Sequence, residues 1–325
     1  MNGMSATTAK PLDISIIGET NLDLILYGLP ETMPLERELL GTDFRLTLGG
    51  SSSILAHNLA TLGSRVGFSS LVGDDEMGHI ALDRLREAGV DTSHVLTRSG
   101  QRSGVTLLLP HGRQRHILTY AGVMADLSVD QLDREFVHSA RHLHLSSLFL
   151  QTALHAGLPA LLDDVKAGGM TVSLDTNDDP DDTWAGILPD VLQRTDILLP
   201  NEDEVLRITR TNSVEAALDA LRDIVPTVVV KCGARGALIQ HGNERQWAAP
   251  TPVQSVDTIG AGDSFDAGFL HAWLHGATVA EAAEFGNRTG ALSVLRPGGT
   301  EAFRDRDLRE QFLATGRAPN AQATP

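Results

Sequence analysis

Cysteine is almost absent from this chain: Cys232 is the only one in 325 residues. That excludes an internal disulfide framework and any metal centre built from several thiolates. Lysine is nearly as scarce, with Lys10, Lys166 and Lys231 the whole set. Against 26 basic residues stand 42 acidic ones, for a formal net charge of −16, which argues against nucleic acid as the main partner. No apolar run approaches the ~20 residues that span a bilayer. The opening MNGMSATTAKPLD lacks the apolar stretch of a secretory signal. The expectation is a cytoplasmic protein without nucleic-acid or membrane partners. Residues 1–10 and 316–325, small and polar, are expected to be disordered tails.

What is present is an alternation of short apolar runs and amphipathic stretches. Leu12–Gly18, Arg65–Val72, His142–Ser146, Thr171–Asp175, Asp196–Leu199 and Thr227–Lys231 read as buried strands. Ile80–Ala88, Leu154–Ala167, Pro189–Arg194, Val214–Ile224, Ala261–His275 and Val279–Leu292 read as helices. A further helix follows Ser51–Ser53, with serine as its expected cap and Gly63 as its end. Leu22–Leu26 and Phe44–Leu48 read as short strands, Thr106–Pro110 with Arg115–Tyr120 as a hairpin, and Ala237–Gln240 with Glu244–Ala248 as another. The β–α rhythm predicts an α/β fold with a mostly parallel sheet between helical layers. The early strands outside that rhythm predict a small added β layer.

The densest chemistry lies in VDTIGAGDSFDAGF, residues 256–269. Gly260, Ala261 and Gly262 leave the backbone bare where a helix begins, and the first N–H groups of a helix point outward, unpaired and partly positive. Such a turn makes an anion hole for a phosphoryl group in transfer. Asp263 in the same turn is placed to take the proton of an attacking hydroxyl. Taken alone, a G-x-G-D string is better explained by an aspartate capping the helix and glycines making a tight turn.

The surrounding string is longer than that, and it resembles the carboxyl-side signature of the PfkB, or ribokinase-like, family of sugar and nucleoside kinases. LTLGGSSSILAHNLATLGSRVGFSSLVGDDEMGHIALDRLREAGVD resembles the amino-side signature. GETNLDLI, LDTNDDPDDTW, LLPNEDEV and VVVKCGARGAL resemble further family segments in order, so that the resemblance spans about residues 12 to 303. No Gly-Lys dipeptide occurs, which excludes a Walker P-loop.

The resemblance implies a three-layer α/β/α core with a β-sheet lid. The core would comprise residues 11–19, 49–98 and 121–315, and the lid 20–48 and 99–120. It implies ATP-dependent phosphorylation of a sugar hydroxyl, with Asp263 as base and the Gly260–Asp263 amides as anion hole. Asn21, Asp23, Gly49 and Gly50 match substrate binders. Asn201, Lys231, Gly233 and Gly236 match the nucleotide side, and Glu204 matches a residue that orders Mg²⁺ through water. Lys231 is as readily a strand-end lysine reaching solvent. Asp257 with the Arg296–Gly299 loop is a candidate K⁺ site. Open lid edges, often buried in relatives by pairing, imply a homodimer.

One departure bears on the substrate. Ile54 stands where sugar kinases of this kind usually carry a substrate-binding asparagine, and Asn58, one turn on, is the candidate replacement. A packed helix asparagine is the other reading of Asn58. A nucleoside substrate would need walls for its base, and the lid offers only Tyr27, Phe44 and Tyr120. A sugar-binding regulator without turnover is the remaining alternative. Arg102, just before the hairpin, is either a reader of an acidic sugar or a solvated arginine.

Overall fold

A computed structural model describes residues 10–111 and 114–318. Apart from Lys10 and 316–318, the two expected tails lie outside the described residues. Nine strands form one sheet, in the order Glu244–Ala248, Ala237–His241, Thr227–Lys231, Ile197–Leu198, Thr171–Asp175, Ala140–Ser146, Leu12–Ile17, Val66–Gly73 and Asp91–Arg98. The first two pairings are antiparallel and the rest parallel. Parallel strands buried on both faces need apolar side chains in both directions. Thr227–Lys231 shows this: Val228 and Val230 join the cluster with Leu161, Leu162 and Leu218, whereas Val229 joins the opposite cluster with Leu55, Phe269 and Ala282. The sheet is thus the middle of three layers, as expected.

The second sheet has four strands, in the order Asp43–Gly49, Asn21–Tyr27, Gly104–His111 and Gln114–Tyr120. Its outer pairings are antiparallel, and Asn21–Tyr27 runs parallel to Gly104–His111. Asn21–Tyr27 follows the core strand Leu12–Ile17 after three residues, so the floor and the cover of the site are one nearly continuous segment.

Several local expectations are corrected. Helix Ser51–Thr61 is not capped by serine; its cap is Gly50 at φ 82°, and the Glu19 carboxylate accepts from Ser52 N instead. Helix Glu76–Glu87 starts a turn before Ile80 because Asp75 caps it, accepting from Gly78 N. Edge strand Asp91–Arg98 and the helices Arg306–Thr315 and Glu202–Thr209 were not expected as such. The strand carries Asp, Thr, Ser and His among its first four residues, with no apolar run to reveal it. No helix among the described residues is long and apolar enough to cross a membrane.

Candidate active site

Two cavities, of about 460 and 550 Å³, meet at the start of helix Ala261–Leu274. Gly260 and Asp263 line the smaller one, beneath the four-stranded sheet, and Ala261 and Gly262 line the larger. The helix N-terminus is therefore the shared wall, with unpaired N–H groups placed between two ligands. Gly260 sits at φ 70°, and a Cβ on it would come within 2.5 Å of Gly299 Cα. Only glycine lets the two turns close on each other.

Asp263 is buried in this wall. Burial and the nearby Asp175 push its carboxyl up to about 7, while Lys231 and Ser51 pull the other way. A carboxyl tuned there is half ionised at neutral pH, which suits a proton acceptor. Lys231 lies under the same turn. Its ammonium sits 2.7 Å from Asp175 Oδ2 and 3.1 Å from Asp266 Oδ2, and the three side chains are 11%, 3% and 1% exposed. Burial opposes its charge, yet Asp175, Asp266 and Glu204 outweigh that and hold it above the ordinary lysine range. Lys231 therefore does not reach solvent. Its side chain lines the larger cavity, but the ammonium is committed inward to two carboxylates.

The smaller cavity gathers Glu19, Asn21 and Asp23, all buried. Asn21 donates to Thr106 Oγ1 at 2.7 Å, and its own Oδ1 is buried without a partner. An unmatched acceptor on a cavity wall is costly unless a ligand donor meets it. Burial and the charges of Asp263 and Asp257 push Asp23 up to about 7. Gly50 lines the cavity, and Gly49 backs it: a Cβ there would collide with the Asp23 carboxyl. Ile54 also lines it, 3% exposed.

Asn58 does not line that cavity. Its amide nitrogen donates to Ser264 Oγ (3.0 Å) and Gly299 O (3.1 Å), and its oxygen faces His57 Nδ1 at 2.9 Å. It ties helix Ser51–Thr61 to the anion-hole helix and is no replacement for a sugar-binding asparagine at 54. Among the described residues, no aromatic ring lines the cavity either. Tyr27 is turned to Asp257, and Phe44 and Tyr120 are more than half exposed.

A model of the pfkB family carbohydrate kinases matches residues 12–306. The chain belongs to that family. It is similar to Haemophilus influenzae ribokinase, at 28% identity over 92% of this chain and 98% of that one. A Bacillus subtilis 2-dehydro-3-deoxygluconokinase is 29% identical over 91% and 97%. An ATP-dependent ribose-1-phosphate kinase of Halopiger xanaduensis is 32% identical over 88% and 93%. Among solved structures, Arabidopsis thaliana ribokinase with ribose and ATP superposes with a TM-score of 0.78 at 25% identity, covering 93% and 98%. An Escherichia coli protein assigned as ribokinase II, solved with ATP and Mg²⁺, gives 0.81 at 25%, covering 90% and 96%. The enzyme is thus a carbohydrate kinase of ribokinase-like fold.

On the larger-cavity side of this kinase, Gly233 and Gly236 line the wall at φ 55° and 92°. Asn201 and Glu204 form a capping box: Glu204 N donates to Asn201 Oδ1 (2.9 Å) and Asn201 N to Glu204 Oε2 (2.7 Å). Burial, then the Asp175 charge, raise Glu204 to about 7. Asp257 accepts from Tyr27 Oη (3.0 Å), Ile259 N (3.0 Å) and Gly298 N (3.1 Å). Three of a carboxylate's roughly four acceptor positions are then taken.

Four residues of the kinase site escaped the sequence reading. Glu19 lies two before Asn21 and four before Asp23, a spacing of two that extended backbone converts into one common side. Arg115 lines the cavity by the same alternation, with Ile117 and Thr119. Asp266 follows Asp263 by one helical turn, which brings it to the Lys231 side of the helix. Asp175 was visible only as part of a motif, because its lysine partner is 56 residues away.

Proposed function

We propose that this kinase transfers the γ-phosphoryl group of ATP to a hydroxyl of a small sugar or sugar derivative, with Asp263 as base. The observation that supports it is the pair of cavities divided by the Gly260–Asp263 turn, with Gly260 and the Asp263 carboxyl on one side and Ala261 and Gly262 on the other. Sugar enters the cavity of Asn21 and Asp23, and the nucleotide enters the cavity of Gly233 and Gly236. Asp263 draws the proton from the hydroxyl as that oxygen meets phosphorus. The amides of the turn receive the charge of the transferring oxygens, already oriented before reaction. Glu204, with Oε1 outside the capping box, fits a carboxylate that holds Mg²⁺ through water. The bound ion supplies charge neutralisation to the phosphates. Asp257 has three donors already, which leaves about one acceptor position for a K⁺ ion, and no step is routed through it.

The lid strands leave Phe44, Leu107, Leu118 and Tyr120 between 41% and 55% exposed, which supports a homodimer formed through the lid. Absence of aromatic walls disfavours a nucleoside at the same site. Release of ADP across a panel of sugars and nucleosides, with the phosphate position read by NMR, tests the reading. Turnover of nucleosides alone, or of nothing in the panel, overturns it.

Ile54 supports a substrate with a deoxygenated edge, since an apolar side chain offers no partner to a hydroxyl. Its packing against Gly299 and the commitment of Asn58 to Ser264 and Gly299 leave no asparagine on that helix to compensate. Ile54→Asn is then expected to lower kcat/KM for the true substrate by roughly tenfold to a hundredfold, because the new amide is desolvated without a partner. The ratio to a fully hydroxylated sugar should move the opposite way. An unchanged ratio removes Ile54 from specificity.

A further inference from the structure

Among the described residues, Arg115 is the cation that lines the sugar cavity, and no carboxylate forms an ion pair with it. Along Gln114–Tyr120 the period of two puts Arg115, Ile117 and Thr119 on the cavity side, and all three line it. Among the described residues, no carboxylate comes within ion-pair distance of the Arg115 guanidinium. Its side-chain contact is a long one, 3.5 Å to Thr258 Oγ1.

That isolation is not the rule in this acidic chain. Arg65, Arg98, Arg141, Arg194 and Arg207 each hold an aspartate. Asp23, Asp178 and Asp263 stand on the walls of the same cavity, yet Arg115 acts on Asp23 only through space. Arg102, the arginine that the sequence offered for this task, does not line the cavity. A guanidinium presents a planar fork of donors matched to two oxygens of one anion. A neutral sugar leaves that fork half used. The carboxyls of Glu19, Asp23 and Asp263 are all held above their ordinary range by burial, so the cavity repels an anion less than its acid count suggests.

We infer that the substrate carries an anionic group, a carboxylate or a phosphate, which Arg115 binds on the lid side of the cavity. This rests on the sugar-kinase reading above. The anion cannot lie at the Gly260–Asp263 turn, because the incoming γ-phosphoryl group occupies that position. The substrate therefore spans from an attacking hydroxyl near Asp263 to a charged end beneath the hairpin.

The test uses the full chain with ATP and Mg²⁺ and two matched pairs: D-gluconate against D-glucose, and ribose 1-phosphate against D-ribose. The anionic member of at least one pair should exceed its neutral partner in kcat/KM, and which pair does so identifies carboxylate or phosphate as the group read. Arg115→Met should reduce the anionic-to-neutral ratio by between about tenfold and a hundredfold, the loss of one charge-assisted hydrogen-bonded contact, mostly through KM. Arg115→Lys should restore part of the ratio, since it keeps charge without the fork. Raised salt should erode the wild-type ratio and leave the Met variant's ratio flat. Preference for the neutral partner in both pairs, or equal loss on both members in Arg115→Met, overturns the inference while leaving the kinase reading standing. No turnover of these or of the wider sugar panel overturns both.

Discussion

Asp263→Asn is expected to lower kcat by roughly 10²–10⁴ with little change in sugar affinity. The amide keeps the shape of the carboxyl and its place in the wall, so what is lost is the proton acceptor, and general-base catalysis of this kind contributes about that much. The acid limb of the wild-type kcat/KM profile should fall near pH 7, where burial has pushed the carboxyl. Activity rises as pH rises through that value, because only the ionised form accepts a proton. The variant's residual rate should show a shallower limb, since Asp23 and Glu204, also near 7, still titrate there. Steady-state kinetics of both proteins between pH 5 and 9 check the claim, and a loss of less than tenfold removes Asp263 from the chemistry.

Lys231→Met should be nearly as damaging, for a different reason. It removes the one positive charge between two buried carboxyls, Asp175 and Asp266. Breaking a buried ion pair from one side typically costs about 3–5 kcal/mol, so the variant should unfold at clearly lower denaturant concentration. The sign of the activity change is fixed as well. Lys231 pulls the Asp263 and Glu204 carboxyls downward, so its loss raises both and moves the acid limb to higher pH. Unfolding and pH–rate curves on one preparation separate the two effects. A stable variant with an unmoved limb would mean that the triad supports neither the fold nor the site.

The layers of the fold were legible because buried parallel strands must be apolar on both faces. Thr227–Lys231 declares itself in this way, Leu12–Ile17 does so by Ile14, Ile16 and Ile17, and the helices between them carry apolar stripes. Asp91–Arg98, at the sheet edge, has no such obligation and stayed hidden. The start of helix Ala261–Leu274 was legible from the glycines ahead of its apolar stripe, whereas its proposed phosphoryl role rested on the longer string around it. Side chains that act by meeting distant partners were not legible. The serines at 51–53 pointed to a cap, but the group that meets Ser52 is Glu19, from another segment. Asn58 looked suited to a ligand, and its amide is consumed by Ser264 and Gly299, 206 and 241 residues further on. Arg115 was overlooked for the converse reason, since nothing local distinguishes an arginine without a partner from one that has found it.

The hydrogen bond from Tyr27 to Asp257 joins the cover to the reaction turn. Tyr27 belongs to the lid strand Asn21–Tyr27, and the carboxylate it reaches also holds the backbone N–H groups of Ile259 and Gly298. Ile259 precedes Gly260, and Gly298 precedes the glycine against which Gly260 packs. Lifting the strand would break the tyrosine's bond and remove one of three restraints on that carboxylate, loosening the brace of the amides proposed to receive the phosphoryl group. On the proposed reading the cover and the amides would act as a clutch: the cradle would be firmest with the sugar enclosed and slackest when water has free entry.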